Sequence, residues 1–127
     1  MAQHSTLTQE RWSSFPPVQQ ILMIANEMNR AKRLFSPLDK EGLKLCYERI
    51  LYLTDLTVAA NSRRGFRKEL LRWRDLAAEE YLSFSVDNLT KRPDITRHLK
   101  IFKPLLLLSP ESAGQILFLI NLKPGAF

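Results

Sequence analysis

Cysteine is nearly absent: Cys46 is the only one in 127 residues. That excludes an internal disulfide, a Cys-x-x-Cys redox pair and a thiolate zinc set, and it fits a reducing cytoplasm. Histidine is almost as scarce, with His4 and His98 alone, so a His-rich metal site is excluded. The four glycines are scattered, which leaves no Gly-rich phosphate loop and no nucleophile elbow. No cofactor and no metal are expected. Neither copy of the Glu-x-x-His signature of di-metal bundles is present.

Long apolar runs are missing as well. The nearest, residues 105–122, is interrupted by Pro110, Glu111, Ser112, Gln115 and Asn121, whereas a spanning helix needs ~20 mostly apolar residues. No membrane partner is expected. The first 15 residues lack a cationic start followed by an apolar stretch, so no secretory leader is expected and the localisation read from the sequence is cytoplasmic. What remains is ordinary for a folded protein: 45% hydrophobic and 25% charged residues, enough for one domain with one core.

Apolar residues recur at spacings of three and four, the period of a helix face. Ile21, Ile24, Met28, Ala31 and Phe35 form a first stripe, with Ser13 and Ser14 as caps and Pro16-Pro17 suited to a first helical turn. Ser36-Pro37 reads as the stop of this helix and the start of the next, with Asp39 three residues after Ser36. The second helix carries two stripes, Cys46, Ile50, Leu53, Thr57, Ala60 and Leu45, Tyr52, Leu56, Ala59, which predicts the central, most buried position and places Cys46 in the core. Asn61-Ser62 breaks the pattern. A third helix bears Phe66, Leu70, Trp73, Ala77, Tyr81 and Phe84. Residues 85–94 read as a loop, Asp94 caps a fourth helix with Ile95, Leu99, Phe102 and Leu106, and Pro104 kinks or ends it. A fifth runs over 110–122, with Lys123-Pro124-Gly125 as its stop. No segment shows convincing strand alternation. The expectation is an all-α, single-domain bundle of four or five helices, mostly antiparallel, over residues 15–127, preceded by a flexible arm over residues 1–14.

Charge is unevenly placed. Lys and Arg number 19 and Asp and Glu 13, a net charge of +6. Residues 61–74 hold Arg63, Arg64, Arg67, Lys68, Arg72 and Arg74 against Glu69 alone. Residues 91–103 hold Lys91, Arg92, Arg97, Lys100 and Lys103 against Asp94. On the third helix the cations come first and Asp75, Glu79 and Glu80 follow, the reverse of what the helix dipole favours at ~0.3–1 kcal/mol per charge. Such an order points either to pairing with acids on the preceding helices, such as Glu27, Glu48 and Asp55, or to an anionic partner. Clustered cations bind a phosphate backbone by releasing counterions, and an acidic protein surface would serve equally. The wheel puts Phe66 and Trp73 on the core side, so base stacking is not expected.

Two further readings concern His98 and the C-terminal segment. Arg92, five intervening residues and His98 resemble the R-x4-6-H motif of the HEPN family, small helical proteins that include metal-independent dimeric ribonucleases. The resemblance covers these two residues, and Pro93 stands where that family often has a polar residue. It implies Arg92 holding a scissile phosphate and His98 as acid or base. Residues 104–127 carry only Glu111 and Lys123 as charges. That segment closes the core, presents an apolar helix face for a homo-oligomer, or does both. Taken together, the sequence predicts a non-enzymatic interaction module with a polyanion-binding third helix, the ribonuclease being the alternative.

Overall fold

The computed structural model describes residues 8–85 and 93–121. Among these the secondary structure is helical, with an isolated bridge between Phe35 and Leu38 and no strand. The elements are α1 (Gln9–Ser13), α2 (Pro17–Lys32), α3 (Lys40–Ala60), α4 (Arg64–Ser85), α5 (Ile95–Phe102), α6 (Leu105–Leu108), a 3-10 turn (Pro110–Ser112) and α7 (Ala113–Asn121). The all-α expectation holds. The stop expected at 123–125 lies outside the described residues.

Residues 8–14 are ordered where a flexible arm is expected over residues 1–14; residues 1–7 lie outside the described residues. Thr8 caps α1 by accepting from the Arg11 amide at 3.1 Å. Trp12 is fully buried, and its indole N–H donates to Thr57 Oγ1 on α3 at 3.0 Å. A five-residue helix would not stand alone, and this one is held by a large aromatic with a satisfied polar edge and by Gln9, which donates to the Leu56 carbonyl at 3.1 Å. Ser13 and Ser14, expected to cap the next helix, close this one instead. Their hydroxyls donate to the carbonyls of Gln9 at 2.8 Å and Arg11 at 2.6 Å. Helix α2 then starts at Pro17 behind Pro16 with no side-chain cap. Buried Gln20 ties the entry down by donating to the Trp12 and Phe15 carbonyls, each at 3.0 Å.

The junction between α2 and α3 is also shifted. Helix α2 ends at Lys32 and α3 begins at Lys40, so Ser36 and the cis Ser36–Pro37 bond lie in the connection. Asp39 is the cap, accepting from the Gly42 amide at 2.9 Å. A Cβ on residue 42 would stand 2.5 Å from the Asp39 carboxylate, so a larger residue there would make the capping side chain shift.

Helix α3 packs against α1, α2 and α4 and is the centre of the molecule. Leu43, Cys46, Tyr47, Ile50 and Leu53 are buried along it, whereas the second predicted stripe keeps only Leu56 buried and leaves Leu45 and Ala59 exposed. In α4, Leu70, Trp73, Ala77 and Phe84 are buried, and Phe66 and Tyr81 are half-buried. Asp94 caps α5 by accepting from Thr96 N at 2.9 Å. Pro104 separates α5 from α6. Leu105, Leu108, Ile116 and Ile120 then close the core, while Leu107, Leu117 and Phe118 face outward. The C-terminal segment therefore both closes the core and presents apolar surface.

One polar contact anchors that closing segment. Lys32, at the end of α2 and only 8% exposed, donates from Nζ to the Leu119 carbonyl of α7 at 2.7 Å. A cation at a helix C-terminus satisfies a carbonyl that the helix cannot. Lys32→Met keeps the aliphatic stem and removes the donor. We expect it to cost about 1.5–3 kcal/mol and to speed hydrogen exchange of the α7 amides before those of α3; uniform acceleration would show that Lys32 does not act locally.

Candidate functional site

The six cations proposed on the third predicted helix fall on or beside α4, and the structure divides them. Arg74 forms a two-point ion pair with Asp55 of α3. Donating to this carboxylate raises the pKa of Arg74. It is one of the intramolecular pairs considered from sequence. Glu27 instead pairs with Arg49 at 3.0 Å and Arg30 at 3.9 Å, and Glu48 accepts from the Tyr81 hydroxyl at 2.8 Å. Arg72 reaches Glu69 at 3.3 Å with both side chains mostly in solvent, a geometry worth little in stability. Arg63, Arg64, Arg67 and Lys68 are exposed, and among the described residues none has an ion-pair partner.

Arg64, Arg67, Lys68 and Arg72 line one shallow open groove with Ser62, Leu71 and Asp75. Arg63 points into a different depression, beside Phe66, Pro17 and Pro110. Sequence reasoning missed Leu71 and Asp75 as parts of this surface. The signal was present in their spacing, since both fall on the same helical side as Arg64 and Lys68. Helix α4 also begins at Arg64, so its unpaired amides add to the positive potential at that end.

The second basic block lies elsewhere. Arg97 of α5 pairs with Glu80 at 3.2 Å and with Asp94 at 3.8 Å. Glu80 is twelve residues beyond Lys68, about 18 Å along α4 at ~1.5 Å per residue. Arg97 thus sits toward the far end of α4 from Lys68, whereas Ile101, between Lys100 and Lys103, lies beside Trp73 in the middle of the helix. Lys100 and Lys103 are exposed, and Lys91 and Arg92 lie outside the described residues.

His98 is a core residue. Its side chain is fully buried against Phe35, Tyr47 and Phe102. Nε2 lies 2.8 Å from the Met28 carbonyl, an acceptor only, so Nε2 carries the hydrogen. Nδ1 is then the acceptor for the Tyr47 hydroxyl at 2.6 Å. Burial lowers the His98 pKa to about 4, partly offset by the Met28 bond, and burial pushes the Tyr47 phenol well above its usual value. Both ring nitrogens are engaged, and neither is presented to a phosphate. The acid–base role expected for His98 therefore has no support in this geometry, and Arg92 is outside the described residues.

Cys46 is buried with its thiol 3.4 Å from the Glu27 carbonyl. Burial, together with the Glu27 charge, pushes its pKa up to about 12, which makes it an inert core thiol. Among the described residues no group of three or more His, Cys, Asp or Glu side chains is placed to hold a metal ion, and no helix is long and apolar enough to cross a membrane. No family model, curated protein or solved structure matches the chain.

Proposed function

We propose that the chain is a non-enzymatic helical interaction module that binds a polyanion, a nucleic-acid backbone or an acidic protein surface, through the first half of α4. The observation that supports this reading is the set of four exposed cations, Arg63, Arg64, Arg67 and Lys68, that no acidic side chain among the described residues neutralises. Placing them at the positive end of the helix costs stability, and each like-charge pair four residues apart, such as Arg64 with Lys68, adds to that cost. An anionic partner offsets both. Trp73 and Phe66 turn toward the core, so contact is with charge rather than with base faces.

The test is fluorescence anisotropy of labelled single-stranded RNA and of polyglutamate across a salt series. Wild type is expected to bind with a steep salt slope. Arg64→Glu, Lys68→Glu and Arg72→Glu together should abolish binding while the circular dichroism stays near wild type, because all three side chains are exposed. No binding of either probe at low salt sinks the proposal.

A further inference from the structure

The charge order along α4 makes sense when two copies of the helix meet antiparallel. Its outward line runs Arg64, Lys68, Arg72, Asp75, Glu79, all exposed or mostly so. Within one helix this order is doubly unfavourable. Like charges stand four apart, and the cations occupy the end that favours anions. The other acid of this half, Glu80, is buried and paired with Arg97. Asp75 and Glu79 have no ion-pair partner among the described residues, and neither does Lys68. One helix therefore displays unneutralised positive charge on its first half and unneutralised negative charge on its second.

We infer that this outer face of α4 docks on the same face of a second copy, antiparallel, about a two-fold axis. The inference rests on the reading above for the basic half and identifies the acidic surface that answers it. The complementarity is a matter of register. With the axis level with the midpoint between Trp73 and Arg74, Lys68 and Glu79 lie at equal distances on either side, as do Arg72 and Asp75. Lys68 then faces Glu79 of the second copy, Arg72 faces Asp75 of the second copy, and each contact occurs twice, as an isologous interface requires. At 100° per residue, Leu71 and Leu76 fall about 70° to either side of this charged line. They are 45% and 43% exposed, and the two-fold brings each beside its own copy, giving the charged strip an apolar border on both sides.

Such a contact uses one helix face, well below the ~800 Å² per partner of a standard interface. The dimer is therefore weak and salt-sensitive, and it competes with a polyanion for Lys68 and Arg72.

Sedimentation velocity of the full chain over a concentration series at low and high salt tests this. Wild type is expected to dimerise at low salt and to dissociate at high salt. Lys68→Glu alone and Glu79→Lys alone should each raise the dissociation constant at least tenfold, since each homodimer then opposes like charges twice. An equimolar mixture of the two variants should dimerise like wild type, because every contact in the heterodimer again joins opposite charges. Wild type that stays monomeric at low salt, or a mixture no better than its components, overturns the inference. The polyanion reading is separated from it by Glu79→Lys. That variant should bind RNA or polyglutamate at least as tightly as wild type, and its failure to bind either counts against the polyanion reading alone.

Discussion

Trp73→Ala is expected to lower the free energy of unfolding by ~3–5 kcal/mol, a large part of the ~5–15 kcal/mol that holds a domain of this size. Trp73 is 2% exposed in the middle of α4, and its indole N–H donates to the Ile101 carbonyl at 2.8 Å. One side chain thus fills the core and fastens α5 beside α4. Alanine removes the volume and also leaves the last turn of α5 with an unpaired carbonyl. Trp73→Phe separates the two effects: most of the volume remains, and the orphaned carbonyl contributes ~1–3 kcal/mol. Urea unfolding followed by the remaining Trp12 fluorescence reads both variants, with the midpoint falling and the slope unchanged. A loss below ~1 kcal/mol for the alanine variant would mean that α5 does not depend on Trp73. Phe66, on the same predicted stripe, is only half-buried, so its removal should cost less than that of Trp73.

Helix existence was legible because it depends on local pattern. The stripe of Ile21, Ile24, Met28 and Ala31, the run of Leu70, Trp73, Ala77 and Phe84, and the Asp94 cap all satisfy rules that act within a few residues. Boundaries were less legible because two local signals competed. Ser36-Pro37 is a plausible start, but the Asp39 carboxylate accepts from the Gly42 amide and caps the helix three residues later. Helix α1 was not legible at all. Four polar residues around one tryptophan carry no period, and the Trp12 indole finds its partner in Thr57, 45 residues away in sequence. The site follows the same division. The basic block was visible as composition, but its splitting by Asp55, its separation from Arg97 and its border of leucines depend on which helices are neighbours. For His98, spacing to Arg92 suggested chemistry, and what spacing does not carry is that α2, α3 and α5 enclose the ring.

Acidification should destabilise the fold, with His98 as the main cause above pH ~5. The neutral ring links three helices, donating from Nε2 on α5 to Met28 of α2 and accepting at Nδ1 from Tyr47 of α3. Protonation need not break the second bond, since the Tyr47 hydroxyl can turn and accept. The cost lies in placing a charge in a fully buried aromatic pocket, near Lys32 and away from water. In the unfolded chain His98 gains its proton near the usual 6.5, but in the folded chain only near about 4. Between these values the unfolded state holds more protons, so stability rises with pH. It is fully present above 6.5 and is lost as pH falls toward 4, a total of ~3 kcal/mol. Roughly 2 kcal/mol of that loss falls above pH ~5, before most carboxylates titrate. Urea midpoints measured from pH 7 to 5 should therefore decline in wild type. His98→Gln lowers stability at pH 7 but removes the titrating group, so its decline over the same range should be nearly flat. Parallel slopes for the two proteins would show that the ring takes up its proton without opposition and that its aromatic enclosure does not exclude charge.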